Sequence, residues 1–189
     1  MQQMRRNRRH LKKANKLINL LPNGWTAVCQ DESTMIYDSV VRAVWAKKGS
    51  TPIVITTGSH NKTFLFGALS LEGKQLFRQY DKMNGEKFID FLKQMKRKFR
   101  QFLLFMDKAP WHKSKKVKDF LEKNENCIKI LMFPTASPEF NPVEECWRQG
   151  KNNIIGNRVP PSFSDMKNET ANYYRTKRFK LNLNKYLCP

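Results

Sequence analysis

Residues 88–107 read FIDFLKQMKRKFRQFLLFMD, and two different periods meet inside them. Phe88, Phe91, Leu92, Met95 and Phe99 recur at i, i+3, i+4, i+7 and i+11 with lysines and arginines between them, the spacing of an amphipathic helix with a basic outer face. Phe102-Leu103-Leu104-Phe105-Met106 is then a continuous apolar run, as in a strand buried on both faces, and it stops at an acid, Asp107. A helix feeding such a strand points to an α/β fold.

Downstream, the same alternation continues. Lys113 to Lys123 reads as a short helix with Val117, Phe120 and Leu121 inward, Ile128 to Phe133 as another buried strand, and Pro134 to Pro138 as a loop. Pro142 to about Ile155 is a further helix, Gly156 to Pro161 breaks the chain, and Ser164 is placed to cap a last helix reaching about Lys177. Upstream, the short β-prone runs Trp25–Gln30, Val40–Trp45, Ile53–Thr57, Phe64–Leu69 and Gln75–Tyr80, with turn signals at Gly49, Gly58 and Gly73, predict an antiparallel meander. The first run ends at the acidic pair Asp31-Glu32. The expected order is a meander followed by helix, strand, helix, strand, helix.

Three segments follow from composition. Residues 1–24 form a basic lead-in, with Arg5, Arg6, Arg8, Arg9, Lys12, Lys13 and Lys16 around a few apolar residues, closed by the turn chemistry of Pro22-Asn23-Gly24. Residues 25–179 hold the expected domain, and residues 180–189 a basic tail. The 189-residue chain has 36 Lys and Arg against 16 Asp and Glu, a net charge of +20 and a pI near 10.0, so the natural partner is a polyanion, nucleic acid first. With 40% hydrophobic and 12% aromatic residues it has the content for a packed core, which excludes a disordered basic tail. No apolar run approaches the ~20 residues of a membrane span and no apolar stretch follows the basic start, so a soluble, non-secreted, cytoplasmic protein is expected. Cys29, Cys127, Cys146 and Cys188 form no CxxC pair and read as reduced thiols.

In so basic a chain the acids are informative. Asp31 and Asp107 stand at the carboxyl ends of hydrophobic strands, where ligands of open α/β sheets bind. Glu139, Glu144 and Glu145 flank the start of the helix near Pro142. Carboxylates gathered from two strands and a helix repel one another unless a cation sits among them, and hard oxygen ligands suit Mg²⁺ or Mn²⁺. Two such ions ~3.5–4 Å apart are the standard device for cutting or transferring a phosphodiester. Structural alternatives stand beside this. Either Asp alone fits a solvated strand end or a turn cap, and Asn141-Pro142-Val143-Glu144 has the spacing of a capping box with Glu144 at N3. A carboxylate at N3 would still face the strand ends at the positive end of the helix dipole.

Gln30-Asp31-Glu32-Ser33, Met106-Asp107-Lys108-Ala109-Pro110-Trp111-His112-Lys113-Ser114 and Ser137-Pro138-Glu139-Phe140-Asn141-Pro142-Val143-Glu144-Glu145-Cys146-Trp147 resemble the catalytic core of IS630-type transposases of the Tc1/mariner superfamily. The last motif, Ser-Pro-x-x-Asn-Pro-x-Glu-x-x-Trp, is the most specific, and the likeness spans roughly Trp25 to Phe179. The resemblance implies an RNase H-like fold, in which the mixed central sheet, an antiparallel meander then parallel strands, is flanked by helices. It puts a DDE triad of catalytic and metal-holding residues on Asp31, Asp107 and Glu144. It further implies Mg²⁺ or Mn²⁺ as cofactor, two ions, and DNA as partner, both transposon ends and target. DNA ends would be cut by metal-activated water, and the 3′ hydroxyl joined to a target without a covalent enzyme intermediate. A homodimer in the DNA complex and a prokaryotic, cytoplasmic setting belong to the same picture.

Two departures stand out. Lys108 occupies the place where the family usually has Asn after the second Asp, and only Met1 to Leu21 stands where complete members carry a helix-turn-helix region, so terminal-repeat recognition is expected to be missing. His112 matches the family pattern yet reads as a structural histidine, and Trp111 and Trp147 read as core aromatics before base-stacking ones. Two other functional classes fit the same residues. A catalytically inactive basic nucleic-acid-binding module predicts salt-sensitive DNA binding unaffected by metal, and an RNase H-like nuclease predicts cleavage without joining.

Overall fold

The computed structural model describes residues 12–134, 138–181 and 186. A helical stretch, α1, covers residues 12–19 of the basic lead-in; the rest of the helix expected there, most of the basic tail, Cys188 and part of the Pro134–Pro138 loop lie outside the described residues. Five strands follow: β1 (Trp25–Ile36), β2 (Lys62–Ser70), β3 (Gln75–Tyr80), β4 (Gln101–Met106) and β5 (Ile128–Met132). The helices are α2 (Gly85–Phe99), α3 (Lys115–Glu122), α4 (Val143–Ile155) and α5 (Phe163–Thr176), with 3-10 turns at Pro110–Lys113 and Pro138–Phe140.

The sheet order is β3-β2-β1-β4-β5. β1, β2 and β3 pair antiparallel, while β4 and β5 join β1 in parallel. This is the mixed sheet expected, with α2 and α3 on one face and α4 and α5 on the other. The alternation of β1 explains the two cores. Ala27 and Cys29 point into the layer under α4 and α5 with Leu103 and Phe105 of β4, while Val28 points to the α2 layer with Phe102, Leu104 and Met106. Ala14 of α1 is buried in the α4/α5 layer, and Leu17, Ile18 and Leu21 pack against it, so residues 14–21 rest on the domain.

α2 is built as its periodicity predicts, with Phe88, Phe91, Leu92, Met95 and Phe99 all buried. At ~1.5–3 kcal/mol for each fully buried large apolar side chain, this stripe fixes the helix on the sheet. Asn84 caps it by accepting from the Lys87 N–H at 3.0 Å, and Lys96, Arg97 and Lys98 lie in its last turn, where the dipole favours them.

Four expectations need correction. β1 does not stop at Asp31; it runs on to Ile36, because after its parallel pairing with β4 ends at Cys29 the antiparallel ladder with β2 continues through Ile36↔Lys62. Val40–Trp45 and Ile53–Thr57 are not strands. Residues 37–61 are irregular apart from a single bridge, Val40 to Gly156, and Val41, Val44, Trp45, Ile53 and Ile55 are exposed, so β-prone residues without a facing sheet or a core to enter form no ladder. The third correction concerns the cap of α5, which is Ser162, whose Oγ accepts from the Asp165 N–H at 3.1 Å, and not Ser164. Finally, the capping box ahead of α4 does not form. The helix starts at Val143 with Pro142 as N-cap, which makes Glu144 its second residue. Asn141 Oδ1 accepts instead from the Val143 N–H at 3.2 Å, and its amide donates to the Gln30 carbonyl at 3.1 Å, tying the start of α4 to β1.

Candidate active site

The register of the sheet sets the first pair. Cys29 stands opposite Phe105 on the parallel strands β1 and β4; Asp31 lies two residues further along β1, and Asp107 two residues beyond Phe105, just past the end of β4. Asp31 is buried, with 8% of its surface exposed, and its Oδ2 accepts from the Trp147 indole N–H of α4 at 2.7 Å. Burial pushes its carboxyl up to about 8, and the neighbouring Glu144, Glu32 and Asp107 charges add to the rise against the Trp147 bond. Asp107 is half exposed just past β4, and its Oδ1 accepts from the Ala109 N–H at 3.0 Å. His112 holds its carboxyl below the ordinary range, with burial opposing and the Ala109 bond assisting.

Glu144 reaches the same region from the first turn of α4. Partial burial raises its carboxyl, Asp107 adds to the rise, and Lys151 opposes it. The Lys151 ammonium is lowered by burial and stabilised by Glu144 and Asp31, so this lysine shares the acids' field from two turns further along α4. The Glu144 and Asp107 charges are felt at Asp31 and the Asp107 charge at Glu144, but among the described residues these three do not form a close cluster of ligand atoms. Glu145 turns away into an ion pair with Arg148, Nη2 to Oε1 2.6 Å.

A second arrangement was not anticipated. Glu32, one residue on from Asp31, points to the opposite face of β1, and its side chain is only 4% exposed. There His112, wholly buried on the 3-10 turn Pro110–Lys113, sits 2.9 Å from Glu32 Oε1 through Nε2 and 3.2 Å from Asp107 Oδ1 through Nδ1. Burial alone would push the imidazolium down, but the two carboxylates more than offset it and hold it up to about 9. The ligand atoms of Glu32, Asp107 and His112 lie within 4.8 Å of one another, a set that could also hold a metal. Strand alternation is the signal that could have separated Glu32 from Asp31; nothing in the sequence paired Glu32 with His112.

The glycine opposite Asp31 completes the site. Asp31 pairs with Gly67 on β2, and a Cβ on Gly67 would lie 2.6 Å from the Trp147 ring and 2.7 Å from Phe77. Only glycine leaves the indole room to reach Asp31. Trp111 Nε1 lies 3.4 Å from Glu32 Oε1, and Trp147 packs edge-on to Phe77, so both tryptophans are part of the packing around the acids.

Comparison with known proteins gives this arrangement its context. The family described as DDE superfamily endonuclease matches residues 26–167. The chain belongs to that family. An IS630 insertion-element protein of Shigella sonnei, described as an uncharacterized 39 kDa protein, is 26% identical over 151 residues, covering 78% of this chain and 44% of that protein. Protein y4pE/y4sA of Sinorhizobium fredii (strain NBRC 101917 / NGR234), also uncharacterized, is 34% identical over 64 residues, covering 34% of this chain and 44% of its own length. The chain thus spans less than half of the curated relatives it matches. Among solved structures, the mariner Mos1 paired end complex with Mg superposes with a TM-score of 0.71 at 16% identity, covering 98% of this chain and 58% of that one. The catalytic domain of Mos1 mariner transposase gives 0.63 at 14% identity, covering 98% and 85%. The DDE domain therefore has the RNase H-like fold of the mariner catalytic domain, and the chain is similar to an IS630 insertion-element protein. Three thiols of this DDE domain, Cys29, Cys127 and Cys146, are free, and among the described residues no helix is long and apolar enough to cross a membrane.

Proposed function

We propose that residues 25–179 are the catalytic domain of a DDE transposase, with residues 1–24 and 180–189 as its basic flanks, cutting DNA at a phosphodiester and joining the 3′ hydroxyl to a target. Asp31, Asp107 and Glu144 carry this reading. The observation that supports it is that Asp31 on β1, Asp107 just past the end of the neighbouring parallel strand β4 and Glu144 in the first turn of α4 are near enough for the Glu144 and Asp107 charges to be felt at Asp31, in a chain of +20 net charge.

The donor set suits a hard divalent cation. Asp31 is held near 8 by burial and by three neighbouring acids, a condition that a cation among the carboxylates reverses. In this reading Asp31, Asp107 and Glu144 would hold Mg²⁺ or Mn²⁺, two ions. When bound, such ions supply Lewis acidity at the phosphoryl group and a more acidic water. The chain's own residues do the rest. Trp147 fixes the rotamer of Asp31 and His112 that of Asp107, so the carboxylates are aimed before substrate arrives. Asn141 ties α4 to β1 and sets Glu144 against them. Lys151, beside Glu144 and Asp31, limits the repulsion among the acids. DNA ends and target DNA are the partners, with two copies of the chain in the DNA complex.

Metal-dependent nicking of plasmid DNA and joining of a 3′-hydroxyl oligonucleotide, measured with Mg²⁺ and Mn²⁺, test the proposal. Asp107→Asn and Glu144→Gln are expected to lower both by at least about a hundredfold while leaving the fold intact, the scale on which lost charge stabilisation acts. Activity that survives both substitutions would overturn it. Cleavage without joining would favour a nuclease of the same fold.

A further inference from the structure

A cationic cavity of about 330 Å³ opens at the edge strand β3, away from the carboxylates. Its floor is apolar, from Phe77 and Tyr174, and its walls carry Arg78 from β3, Lys98 from the last turn of α2, and Arg175 and Arg178 from the end of α5 and just beyond. The positive charges thus come from both faces of the sheet to one opening. Among the described residues no carboxylate lines the cavity and none of the four cations forms an ion pair with an acid. Arg78 donates to Gln94 and to the Phe77 carbonyl, Arg175 to Asn172 at 2.9 Å, and Arg178 to the Arg175 carbonyl at 3.2 Å, so the guanidinium groups are held by neutral groups. Burial lowers the Lys98 ammonium, and the like charges of Arg178, Arg78 and Lys74 lower it further.

Cations brought together without an acid to offset them are stabilised by an anion from outside. The cavity holds a phosphate group with water to spare, at ~30 Å³ per water. Its position is also informative. Gly67 pairs with Asp31 on one side and with Phe77 on the other, so the cavity floor lies two strand spacings, about 10 Å, from Asp31 across the sheet. One bound duplex can span both.

We infer that this cavity is a second DNA contact of the chain, in which Arg78, Lys98, Arg175 and Arg178 hold backbone phosphates of the duplex whose scissile bond lies at the carboxylates. The inference rests on the reading that the domain acts on DNA. Guanidinium forks suit the bidentate recognition of phosphate, and contacts of this kind position a duplex without reading its sequence.

The test is the salt dependence of binding to a labelled duplex, read by fluorescence anisotropy on the full chain in the absence of metal. The triple variant K98Q/R175Q/R178Q spares Arg78 and its hydrogen bonds. It is expected to lower the slope of log affinity against log salt by about 2 to 3, at roughly 0.9 per phosphate contact. A control triple, K93Q/K118Q/K123Q, removes the same charge from exposed positions on and just beyond the outer faces of α2 and α3 and is expected to leave the slope within about 1 of the parent. Equal changes in the two triples, or none in the cavity triple, overturn the inference, and the cations then guard the β3 edge against strand pairing. A cavity triple that loses thermal stabilisation by tripolyphosphate while its DNA slope stays parental overturns it in favour of a small-anion site. A parent chain that does not bind duplex DNA at all removes the DNA reading and this inference together.

Discussion

The indole N–H of Trp147 donates to Asp31 Oδ2 at 2.7 Å, and both residues are buried, so one of the acids of the site is held by a neutral donor from the same helix that carries Glu144. Trp147→Phe keeps most of the ring packing against Phe77 and Tyr174 but removes the donor. The expected cost is about 1–3 kcal/mol, because Asp31 loses its only side-chain donor among the described residues while remaining buried. Urea unfolding measures it. A loss no larger than that of a surface substitution would show that the bond does not matter to Asp31.

Gly67 limits the same contact from below. A methyl group there meets the Trp147 ring at 2.6 Å and Phe77 at 2.7 Å, both inside packed layers. Gly67→Ala is therefore expected to displace the indole from Asp31 and to destabilise the domain by about 1–3 kcal/mol, the usual cost of overpacking. Trp147 fluorescence and the denaturation midpoint should shift together. If the midpoint holds and the spectrum is unchanged, the space around the ring is larger than the structure implies.

Asp31 itself opposes stability in metal-free buffer. Its carboxyl, ordinarily near 3.8, is raised to about 8 by burial and by Glu144, Glu32 and Asp107. The folded chain therefore binds a proton that the unfolded chain has already released between those values. Its contribution to stability is full below about 3.8 and is lost as pH rises toward about 8. Asp31→Asn removes this slope and keeps an oxygen to accept from Trp147. With chelator at pH near 8 it should melt at least about 3 °C above the parent, since 1 kcal/mol shifts a domain of this size by roughly 2–4 °C. The advantage should shrink toward pH 5 and also when Mg²⁺ is added. A variant that melts below the parent at high pH contradicts the account.

Much of this was legible in the chain because it rests on local pattern. The stripe from Phe88 to Phe99 and the apolar run from Phe102 to Met106 fix a helix and a central strand by periodicity alone, and the strand's end places Asp107. The proposal of Asp31, Asp107 and Glu144 as the site comes from motifs that carry their own flanking residues. What could not be read depends on contacts between distant positions. The ladder that carries β1 past Asp31 is made by β2, and the irregular segment 37–61 lacks partners that no local sequence reveals. The Glu32 to His112 bridge joins positions far apart in the chain on the face opposite Asp31. The start of α4 slipped by one residue: Asn141 Oδ1 accepts from the Val143 N–H instead of the N3 amide of a capping box, while its NH2 group donates to the Gln30 carbonyl of β1.

That bridge makes the last prediction the sharpest. Glu32 is nearly without solvent at its side chain, and His112 is its close partner at 2.9 Å. His112→Ala leaves the carboxylate buried with only the long Trp111 contact and no counter-charge, and opens space beside Phe88, whose ring lies 4.2 Å from the imidazole, centroid to centroid. The expected loss is about 3–5 kcal/mol, the range for removing one member of a buried pair. Glu32→Gln alone should cost less, since an amide needs no counter-charge and its oxygen can still face the ring. In the double variant most of the His112→Ala penalty should disappear, giving a coupling energy of at least about 1 kcal/mol. Metal binding separates this from packing alone: His112→Ala should weaken Mn²⁺ binding, by titration calorimetry, through the freed Asp107 carboxylate, and His112→Gln, which can still donate to Asp107, should restore part of it. Additive stability losses, together with unaltered Mn²⁺ affinity, would reduce His112 to a core residue that happens to touch two acids.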